Sequence, residues 1–519
     1  MKLFSLSALR RSAFVVRGGI HPEYRKYMTA EQPIEKMGLP SILRVPLKQH
    51  VGAQAEPVVR RDDHVLKGQL IGKARGAVSA NVHAPTSGRV LAVGMFPAPH
   101  PSGLPVMTVT IRPDGRDEWG PRLPRMRPET ATPAEISDRV LEAGIVGMGG
   151  AGFPASVKLA LGQRYKLHTL ILNGAECEPY LTCDDRLMRE SAEEITDGTA
   201  IMARALGVDK VIIAIESNKA EAISTMRRHF FGAGHDASVV VVPTSYPMGS
   251  AKHLVKAVTG FETPARALNA ETGVVVHNVA TAQAVHRAVR YGEPLISRIV
   301  TVSGRSVRRP VNVEVLIGTP LSDLFDHCGG LKGEPDRLVL GGPMMGEPVQ
   351  SVRVPVVKGT CGVLALDRSE TRPETSMPCI RCAGCVGACP SGLAPLEMEA
   401  RIKAEDLEGA VAIGLMDCIA CGACSYVCPS NIALAQSFNY AKGKLAAKQS
   451  QKHQQEETRR LAEARKAREE AVAEQKRLAM EKHKAAQAAK KLAAEAAAAK
   501  KAAAAAAGGD SQTPTEAAE

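Results

Sequence analysis

Two tandem copies of one cysteine pattern constrain this 519-residue chain more than any other feature. Residues 379–390 read CIRCAGCVGACP and residues 418–429 read CIACGACSYVCP, so both have the spacing C-x2-C-x2-C-x3-C-P. Three closely spaced cysteines can bind three corners of an iron–sulfur cube, and the small residues between them let the backbone approach the cluster sulfurs. The pattern therefore predicts two 4Fe-4S clusters, each with a fourth ligand from further along the chain.

The same pattern occurs in bacterial two-cluster ferredoxins, in which the fourth cysteine of each run binds the other cluster. Applied to this chain, that rule assigns one cluster to Cys379, Cys382, Cys385 and Cys428. It assigns the second cluster to Cys418, Cys421, Cys424 and Cys389.

Structural zinc and disulfides are the alternative uses of these eight cysteines. Zinc sites take their four ligands as two spaced pairs, whereas these cysteines form two identical quartets, each followed by proline. Residues 1–11 have a short apolar stretch flanked by basic residues, without a long apolar core or a cleavage site, so a secretory signal is not expected. A cysteine-dense intracellular chain favours metal or redox chemistry.

Composition and charge exclude several other classes. The formal net charge is +12, but residues 441–519 contain 17 Lys or Arg against 11 Asp or Glu, so half of the surplus lies in that segment. Only 3% of the residues are aromatic, so the chain is not expected to stack its side chains on nucleic-acid bases, and no nucleic-acid partner is expected. No apolar run reaches the roughly 18 to 20 residues of a membrane span. We expect a soluble protein, or one bound to a membrane only through partners.

The pattern of predicted elements indicates a multidomain α/β protein. After an N-terminal segment, residues 1–39, short β-prone runs over 40–111 resemble the biotinyl or lipoyl barrel-sandwich domain, but the carrier lysine is missing from Ala74 to Asn81. Residues 112–131 are predicted to be a linker. Residues 295–365 resemble a soluble-ligand-binding β-grasp (SLBB) module, residues 366–440 a two-cluster ferredoxin-type α-helical domain, and residues 441–519 are an Ala/Lys-rich helical or disordered tail.

Residues 132–294 alternate strands with helices, which predicts a parallel sheet. A capping box with proline at the first helical position, Thr132-Pro133-Ala-Glu135, starts the first helix. The later predicted elements are strands at 170–172, 211–215, 239–242 and 274–276, and helices at about 185–206, 219–231 and 250–258 and through Val285.

Polar residues follow three of these strands. They lie in the segments Asn173–Arg186, Glu216–Asn218 and His277–Thr281. Because open α/β sheets bind ligands at the carboxyl ends of their strands, these segments predict a binding site. The glycine cluster at 147–152 follows a predicted helix rather than a strand, so it does not match the dinucleotide fingerprint.

Two families share these motifs. The first resemblance is to the flavin and NADH site of the complex I flavoprotein subunit, which implies a Rossmann-like flavin domain. It is carried by the segment GMGGAGFP, by Lys158 five residues after Phe153, and by the later segments NGAECEP and NVAT. Ala175 and Cys177 depart from that family, which has aspartate and glycine there. Both agree with the RnfC family of the Rnf electron-transport complex, and this second resemblance extends over all regions except the tail.

The resemblance implies roles for individual residues. The backbone at Gly147, Gly149 and Gly150 would approach FMN and NADH, and Lys158 would meet the flavin phosphate. Glu176 and Glu178, the candidate catalytic residues, and Asn173 would border the flavin ring and the nicotinamide, while Asn278 and Thr281 would close the phosphate end. A flavin also has a chemical rationale: NADH gives two electrons together, whereas each cluster accepts one. The remaining cysteines, Cys177, Cys183, Cys328 and Cys361, are expected to be buried and inert.

The resemblance implies a peripheral subunit on the cytoplasmic face of the bacterial inner membrane. It would be an NADH-dependent oxidoreductase component that passes electrons to membrane and iron–sulfur subunits, or to a ferredoxin-type carrier, coupled to sodium-ion or proton transport. The basic tail would add a weak contact with membrane lipid or an acidic partner. Three alternatives remain: a soluble flavin and iron–sulfur reductase like the corrinoid reductases, a two-cluster relay without nucleotide binding, and, more distantly, a basic zinc protein that binds nucleic acid.

Overall fold

The computed structural model describes residues 13–150, 152–230, 236–371 and 375–507. The interpretation of residues 1–11 as an ordinary N-terminus lies outside these residues. The described residues up to Ala441 belong to one compact unit, and those from Lys442 onward to another. Nowhere in these described ranges does a helix combine the length and apolar character needed to cross a bilayer.

The N-terminal third is built from short antiparallel strands. They form a four-stranded sheet in the order β2-β8-β7-β4 and a three-stranded sheet in the order β3-β5-β6, while β1 joins a later sheet. The strands are β1 Glu35–Lys36, β2 Leu43–Pro46, β3 Glu56–Pro57, β4 His64–Val65, β5 Leu70–Lys73, β6 Val82–His83, β7 Gly88–Pro97 and β8 Pro105–Pro113. Buried Val45, Val65 and Ile71 pack in the same core as Ile136 and Leu172 of the next region.

The central region contains four parallel strands with helices between them. Its sheet has the order β11-β10-β9-β12, and every neighbouring pair is parallel. The elements are α1 Pro133–Glu142, α2 Ala155–Leu159, β9 Thr169–Gly174, α3 Cys183–Glu190, α4 Ala192–Leu206, β10 Lys210–Glu216, α5 Ala220–Phe230, β11 Asp236–Val242, α6 Ala251–Thr259, β12 Val274–Asn278 and α7 Val279–His286. The parallel sheet predicted from the alternating pattern is therefore present.

The predicted start of α1 is confirmed, but one predicted helix is wrong. Thr132 and Glu135 form the capping box, with Pro133 in the first turn. The single helix predicted at about 185–206 is two helices, α3 and α4, separated at Ser191, whose backbone is not helical. Serine favours helix ends over helix interiors, so the break has a local reason. The predicted end of α5 at Phe231 lies outside the described residues.

A mixed six-stranded sheet follows, in the order β1-β14-β13-β17-β15-β16. Its own core includes Val300, Val313, Phe325 and Val363. The elements are β13 Ser297–Ser303, β14 Val311–Leu316, α8 Leu321–His327, β15 Arg337–Leu340, β16 Glu347–Val349 and β17 Gly362–Leu366.

Helices dominate the rest of the chain. They are α9 Gly384–Ala388, α10 Pro395–Lys403, α11 Leu407–Ala412, α12 Ala423–Tyr426 and α13 Leu434–Ala507. Single turns of 3₁₀-helix lie at Lys26–Met28, Ala160–Gln163, Asn269–Thr272 and Leu415–Asp417, and a π-helical turn at Arg287–Tyr291. Residues 446–506 of α13 are exposed, and ion pairs four residues apart, such as Arg459 with Glu463, support that helix.

Candidate flavin and iron–sulfur sites

The carboxyl ends of three parallel strands bring predicted site residues to one edge of the central sheet. Asn173 on β9 is in register with Asn278 on β12 and with Ala214 on β10. Asn173 donates from Nδ2 to the Gly249 carbonyl at 2.8 Å, and its Oδ1 accepts from the Ala175 N–H at 3.1 Å. The side chain therefore holds the loop after β9 to the loop after β11.

The glycine loop at 147–150 packs against this edge. The Gly147 N–H donates to the Phe153 carbonyl at 2.8 Å, and the Met148 N–H donates to Oγ1 of Thr281 at 3.1 Å. A Cβ atom at Gly149 would lie 2.8 Å from Nδ2 of Asn278, so this approach requires glycine. A Cβ atom at Gly150 would meet no described residue within 4 Å, which leaves the backbone there open to a ligand.

Lys158 lies beside the same strand. Its Nζ donates to the Val276 carbonyl at 3.2 Å, and burial lowers the pKa of its ammonium group. Burial, followed by the positive charge of Lys158, places the pKa of His277 well below its ordinary value. Both ring nitrogens of His277 are buried without a hydrogen-bond partner in the described part of the chain. Unpaired buried polar atoms of this kind are uncommon and fit a site that binds a ligand.

Glu176 caps α3. Its carboxylate accepts from the backbone N–H groups of Asp184 at 2.7 Å and Asp185 at 3.2 Å, and its own φ is +49°. The Asp184 carboxylate in turn accepts from Nδ2 of Asn278 at 2.6 Å. Burial, and then the charge of Glu176, raise the pKa of Asp184 to about 7. Glu176 thus reaches Asn278 through the start of α3.

Glu178 faces a different element. Its carboxylate accepts from the N–H groups of Met344 at 3.1 Å and Met345 at 2.8 Å, in the turn between β15 and β16. A Cβ atom at Gly342 would overlap this carboxylate. Burial raises the pKa of Glu178 to about 7, although these two hydrogen bonds act in the opposite direction. The two candidate catalytic carboxylates therefore have separate surroundings.

Two lysines outside the sequence motifs hold the loop after β9. Nζ of Lys26 donates to the carbonyls of Glu176 at 2.8 Å, Glu178 at 3.0 Å and Leu181 at 2.5 Å. Nζ of Lys219 donates to the Ala175 carbonyl at 2.6 Å and pairs with Glu216 at 3.1 Å, and the side chains of this pair are buried. Lys26 comes from the N-terminal segment, where no pattern of neighbouring residues marks it.

The four other cysteines lie outside the two runs. Cys177, Cys183 and Cys328 are buried, whereas Cys361 is half-buried. Burial raises the pKa of the Cys177 and Cys361 thiols to about 12. Neutral thiols are poor nucleophiles, so their chemistry is expected to be limited.

The two cysteine runs have equivalent backbone turns. Left-handed φ angles occur two and four residues after the first cysteine of each run, at Arg381 and Ala383 and at Ala420 and Gly422. Backbone N–H groups also point at sulfur in both: Arg381 donates to Cys379 at 3.4 Å, and Ala420 donates to Cys418 at 3.3 Å. Such hydrogen bonds to sulfur tune cluster potentials.

One cavity is lined by four cysteines, one from the first run and three from the second. Its lining residues include Pro390, Met398 and Phe438 together with Cys389, Cys418, Cys421 and Cys424. The Leu393 N–H donates to the Cys389 sulfur at 3.4 Å. Four thiols around one largely apolar space fit a cubane cluster, and they are the set assigned to the second cluster from the sequence.

Comparisons with known proteins agree with this geometry. Family models match in chain order: the RnfC barrel sandwich hybrid domain at residues 14–116, the Nuo51 FMN-binding domain at 140–287, the SLBB domain at 299–348 and the 4Fe-4S dicluster domain at 378–432. The C subunit of the ion-translocating oxidoreductase complex of Rhodobacter capsulatus is 66% identical over 456 residues, which cover 88% of each chain. This chain belongs to the RnfC family.

Other members of the RnfC family are more distant. The C subunit of the proton-translocating ferredoxin:NAD(+) oxidoreductase complex of Clostridium ljungdahlii is 43% identical over 380 residues, 73% of this chain and 82% of that one. The C subunit of the ion-translocating oxidoreductase complex of Pseudomonas aeruginosa is 42% identical over 454 residues, 87% of this chain and 58% of that one. The FMN-binding match contains every predicted flavin-site residue, and the dicluster match contains all eight cysteines of the two runs.

Proposed function

We propose that this chain is the NADH-oxidising, peripheral subunit of a membrane-bound, ion-translocating oxidoreductase. The observation that supports the proposal is the presence of two candidate redox sites in one compact unit: an open glycine loop at the edge of the parallel sheet, and a cavity lined by Cys389, Cys418, Cys421 and Cys424. The names of the relatives agree with this function. A relay without nucleotide binding would have no use for the first site.

Bound FMN would accept two electrons from NADH and release them singly to the clusters. The residues of this chain would bind and orient both molecules. Gly147, Gly149 and Gly150 would let the backbone approach FMN and NADH, because these residues have no side chain. At Gly149, a side chain would also overlap Asn278. Lys158 would supply positive charge to the flavin phosphate. Thr281 accepts from the Met148 N–H of the glycine loop, and Asn278 lies against Gly149, so both would close the phosphate end.

The two glutamates would act mainly by shaping the site. Glu176 would fix the start of α3 against Asn278, and Asn173 would hold the loop after β9 beside the flavin ring and the nicotinamide. Glu178, with a pKa of about 7, would be partly protonated at neutral pH and would join the loop after β9 to the turn at Met344.

Two clusters would complete the electron path, one on Cys379, Cys382, Cys385 and Cys428 and the other on Cys389, Cys418, Cys421 and Cys424. Electrons would leave to membrane and iron–sulfur subunits of the same complex or to a ferredoxin-type carrier. The chain would lie on the cytoplasmic face of the bacterial inner membrane, held by these partners, and the partners would couple electron flow to transport of protons or sodium ions.

Anaerobic purification with cofactor analysis tests this function. We expect one FMN, and about eight iron and about eight sulfide, per chain, because each cubane cluster contains four of each. Addition of NADH should bleach the flavin absorption and then reduce the clusters. A preparation loaded with FMN and iron that NADH leaves oxidised would contradict the proposal, and iron without any flavin binding would favour the relay.

A further inference from the structure

A small buried cluster joins the loop after β9 to the second cysteine run. Its buried members, which we call the junction cluster, are Ile20, Cys177, Tyr246, Ala388, Cys421 and Ala423. The loop after β9, residues 175–182, contains Glu176 and Glu178, and we call it the flavin-site loop. Cys177 lies in this loop between the two glutamates, and Cys421 is an assigned cluster ligand. The two redox sites are therefore in contact through packed side chains.

Tyr246 is the centre of this contact. Its side chain is 0% exposed, and its hydroxyl donates to the Cys421 carbonyl at 2.6 Å. Three residues further on, Gly249 accepts from Asn173 and donates its N–H to the Cys177 sulfur at 3.3 Å. The loop after β11 thus binds the flavin-site loop at one end and the second cysteine run at the other.

The N-terminal segment makes the same connection. Ile20 exchanges two backbone hydrogen bonds with Tyr246, at 2.8 and 2.9 Å. The Gly19 N–H donates to the Ala388 carbonyl at 3.0 Å, and a Cβ atom at Gly18 would lie 2.6 Å from the Cys389 carbonyl oxygen. Lys26 then holds the carbonyls of the flavin-site loop. One segment, residues 18–26, contacts both the cross-ligating Cys389 and that loop.

The first cysteine run has the opposite surroundings. Cys379 and Cys382 are exposed, and the neighbouring apolar side chains of Met377 and Ile380 are 59% and 70% exposed. The first run contributes Ala388, beside the cross-ligating Cys389, to the junction cluster. A cluster on Cys379, Cys382 and Cys385 would therefore lie at the surface.

We propose that Tyr246 is a positioning residue that fixes the cluster on Cys389, Cys418, Cys421 and Cys424 against the flavin-site loop, and that this cluster accepts electrons before the exposed one. The inference rests on the proposed function and specifies its electron path. Electron tunnelling weakens steeply with distance, so the cluster packed against the flavin-site loop has the faster first step. Each step oxidises the reduced flavin by one electron, reduces the cluster by one, and leaves the flavin protons to solvent.

Tyr246→Phe tests the positioning role because it keeps the buried ring and removes only the hydrogen bond to Cys421. The two clusters of the anaerobic, FMN-loaded protein would be followed by EPR in redox titrations and after rapid mixing with NADH. We expect one cluster to have a lower midpoint potential in the variant, because the positive end of the O–H dipole is lost beside it. That cluster should be the first one reduced by NADH in the unsubstituted protein, and its reduction should slow several-fold in the variant.

Tyr27→Phe is the matched control, because Tyr27 follows the same N-terminal segment but its ring is 73% exposed. Neither cluster should change in this control. The inference is overturned if the cluster that shifts in Tyr246→Phe is the second one reduced, or if neither cluster shifts.

Cys379→Ser tests the order without relying on the folding of Tyr246→Phe. Serine at this position should alter or abolish the EPR signal of the exposed cluster, and the affected signal should be the later one to appear in the unsubstituted protein. An affected signal that appears first overturns the inference. Flavin bleaching by NADH is recorded in every experiment: its absence refutes the proposed function, whereas bleaching with the reverse cluster order refutes only the inference.

Discussion

The two cysteine runs share spacing and backbone turns but differ in their surroundings. The first two cysteines of the first run, Cys379 and Cys382, are exposed. Their counterparts in the second run are less exposed: Cys418 is half-buried and Cys421 is buried. The second run packs on Tyr246 and Cys177, and the first run presents Met377 and Ile380 to solvent. Solvent exposure and hydrogen bonds to sulfur set the potentials of iron–sulfur clusters. Two copies of one motif therefore provide two chemically different sites.

The largest expected effect comes from removing one ligand from either run. Cys421→Ser and Cys382→Ser should each lower the iron content from about eight to about four per chain, because each removes a ligand of one cubane cluster. With NADH as donor, the cluster that remains in Cys382→Ser should still be reduced, whereas the one that remains in Cys421→Ser should not. Iron analysis and EPR check this difference, and dithionite serves as the control donor. Equal reduction by NADH in both variants would remove the functional distinction between the runs.

A smaller effect is expected from the contact between Gly18 and Cys389. Gly18→Ala places a Cβ atom at a φ of +70° and against the Cys389 backbone, whereas Gly392→Ala has a similar φ of +65° but no described atom within 4 Å. A left-handed backbone costs an alanine roughly 1 to 2 kcal/mol, so both variants should lose about this much free energy of unfolding. Gly18→Ala should lose more, because of the overlap.

Urea unfolding and the rate of iron removal by a chelator measure the two effects separately. We expect Gly18→Ala to release iron faster from the buried cluster and Gly392→Ala to release it at nearly the original rate. Identical losses in both variants would mean that the N-terminal segment does not support the second cluster.

A separate effect is expected in the dependence of stability on pH, through Glu178. Burial raises its pKa from the ordinary 4.5 to about 7, so between these values the folded chain binds the proton more tightly than the unfolded chain. This contribution to the free energy of unfolding therefore falls as pH rises from about 4.5 to about 7. Glu178→Gln should flatten that part of the profile.

Met344 lies between Glu178 and the second cysteine run. Its N–H donates to Glu178, and its carbonyl oxygen would lie 3.3 Å from a Cβ atom at Gly422. Denaturant unfolding of both proteins at several pH values measures the difference between the profiles. Parallel profiles would show that Glu178 does not titrate in this range.

Features that depend on local patterns could be predicted from the amino-acid sequence. The spacing of the eight cysteines, the capping box at Thr132 and the alternation that produces β9 to β12 all concern neighbouring residues, whose chemistry and periodicity can be read directly. Even the break at Ser191 has a local cause, although the apolar pattern on both sides concealed it. The assignment of Cys389 to the second cluster came from the rule for two-cluster ferredoxins, and in the structure Cys389 lines one cavity with Cys418, Cys421 and Cys424.

Only the packing of the folded chain decides which of the two cysteine runs is buried. The same packing decides which residues connect that run to the flavin-site loop. Lys26 reaches the Glu176 carbonyl across 150 residues, and Tyr246 reaches Cys421 across 175. Contacts at such separations leave no periodic pattern, because each depends on how independently formed elements pack. The same holds for Glu178, whose turn at Met344 comes from another sheet. Local chemistry therefore predicted the candidate site residues, and packing decided the contacts between them.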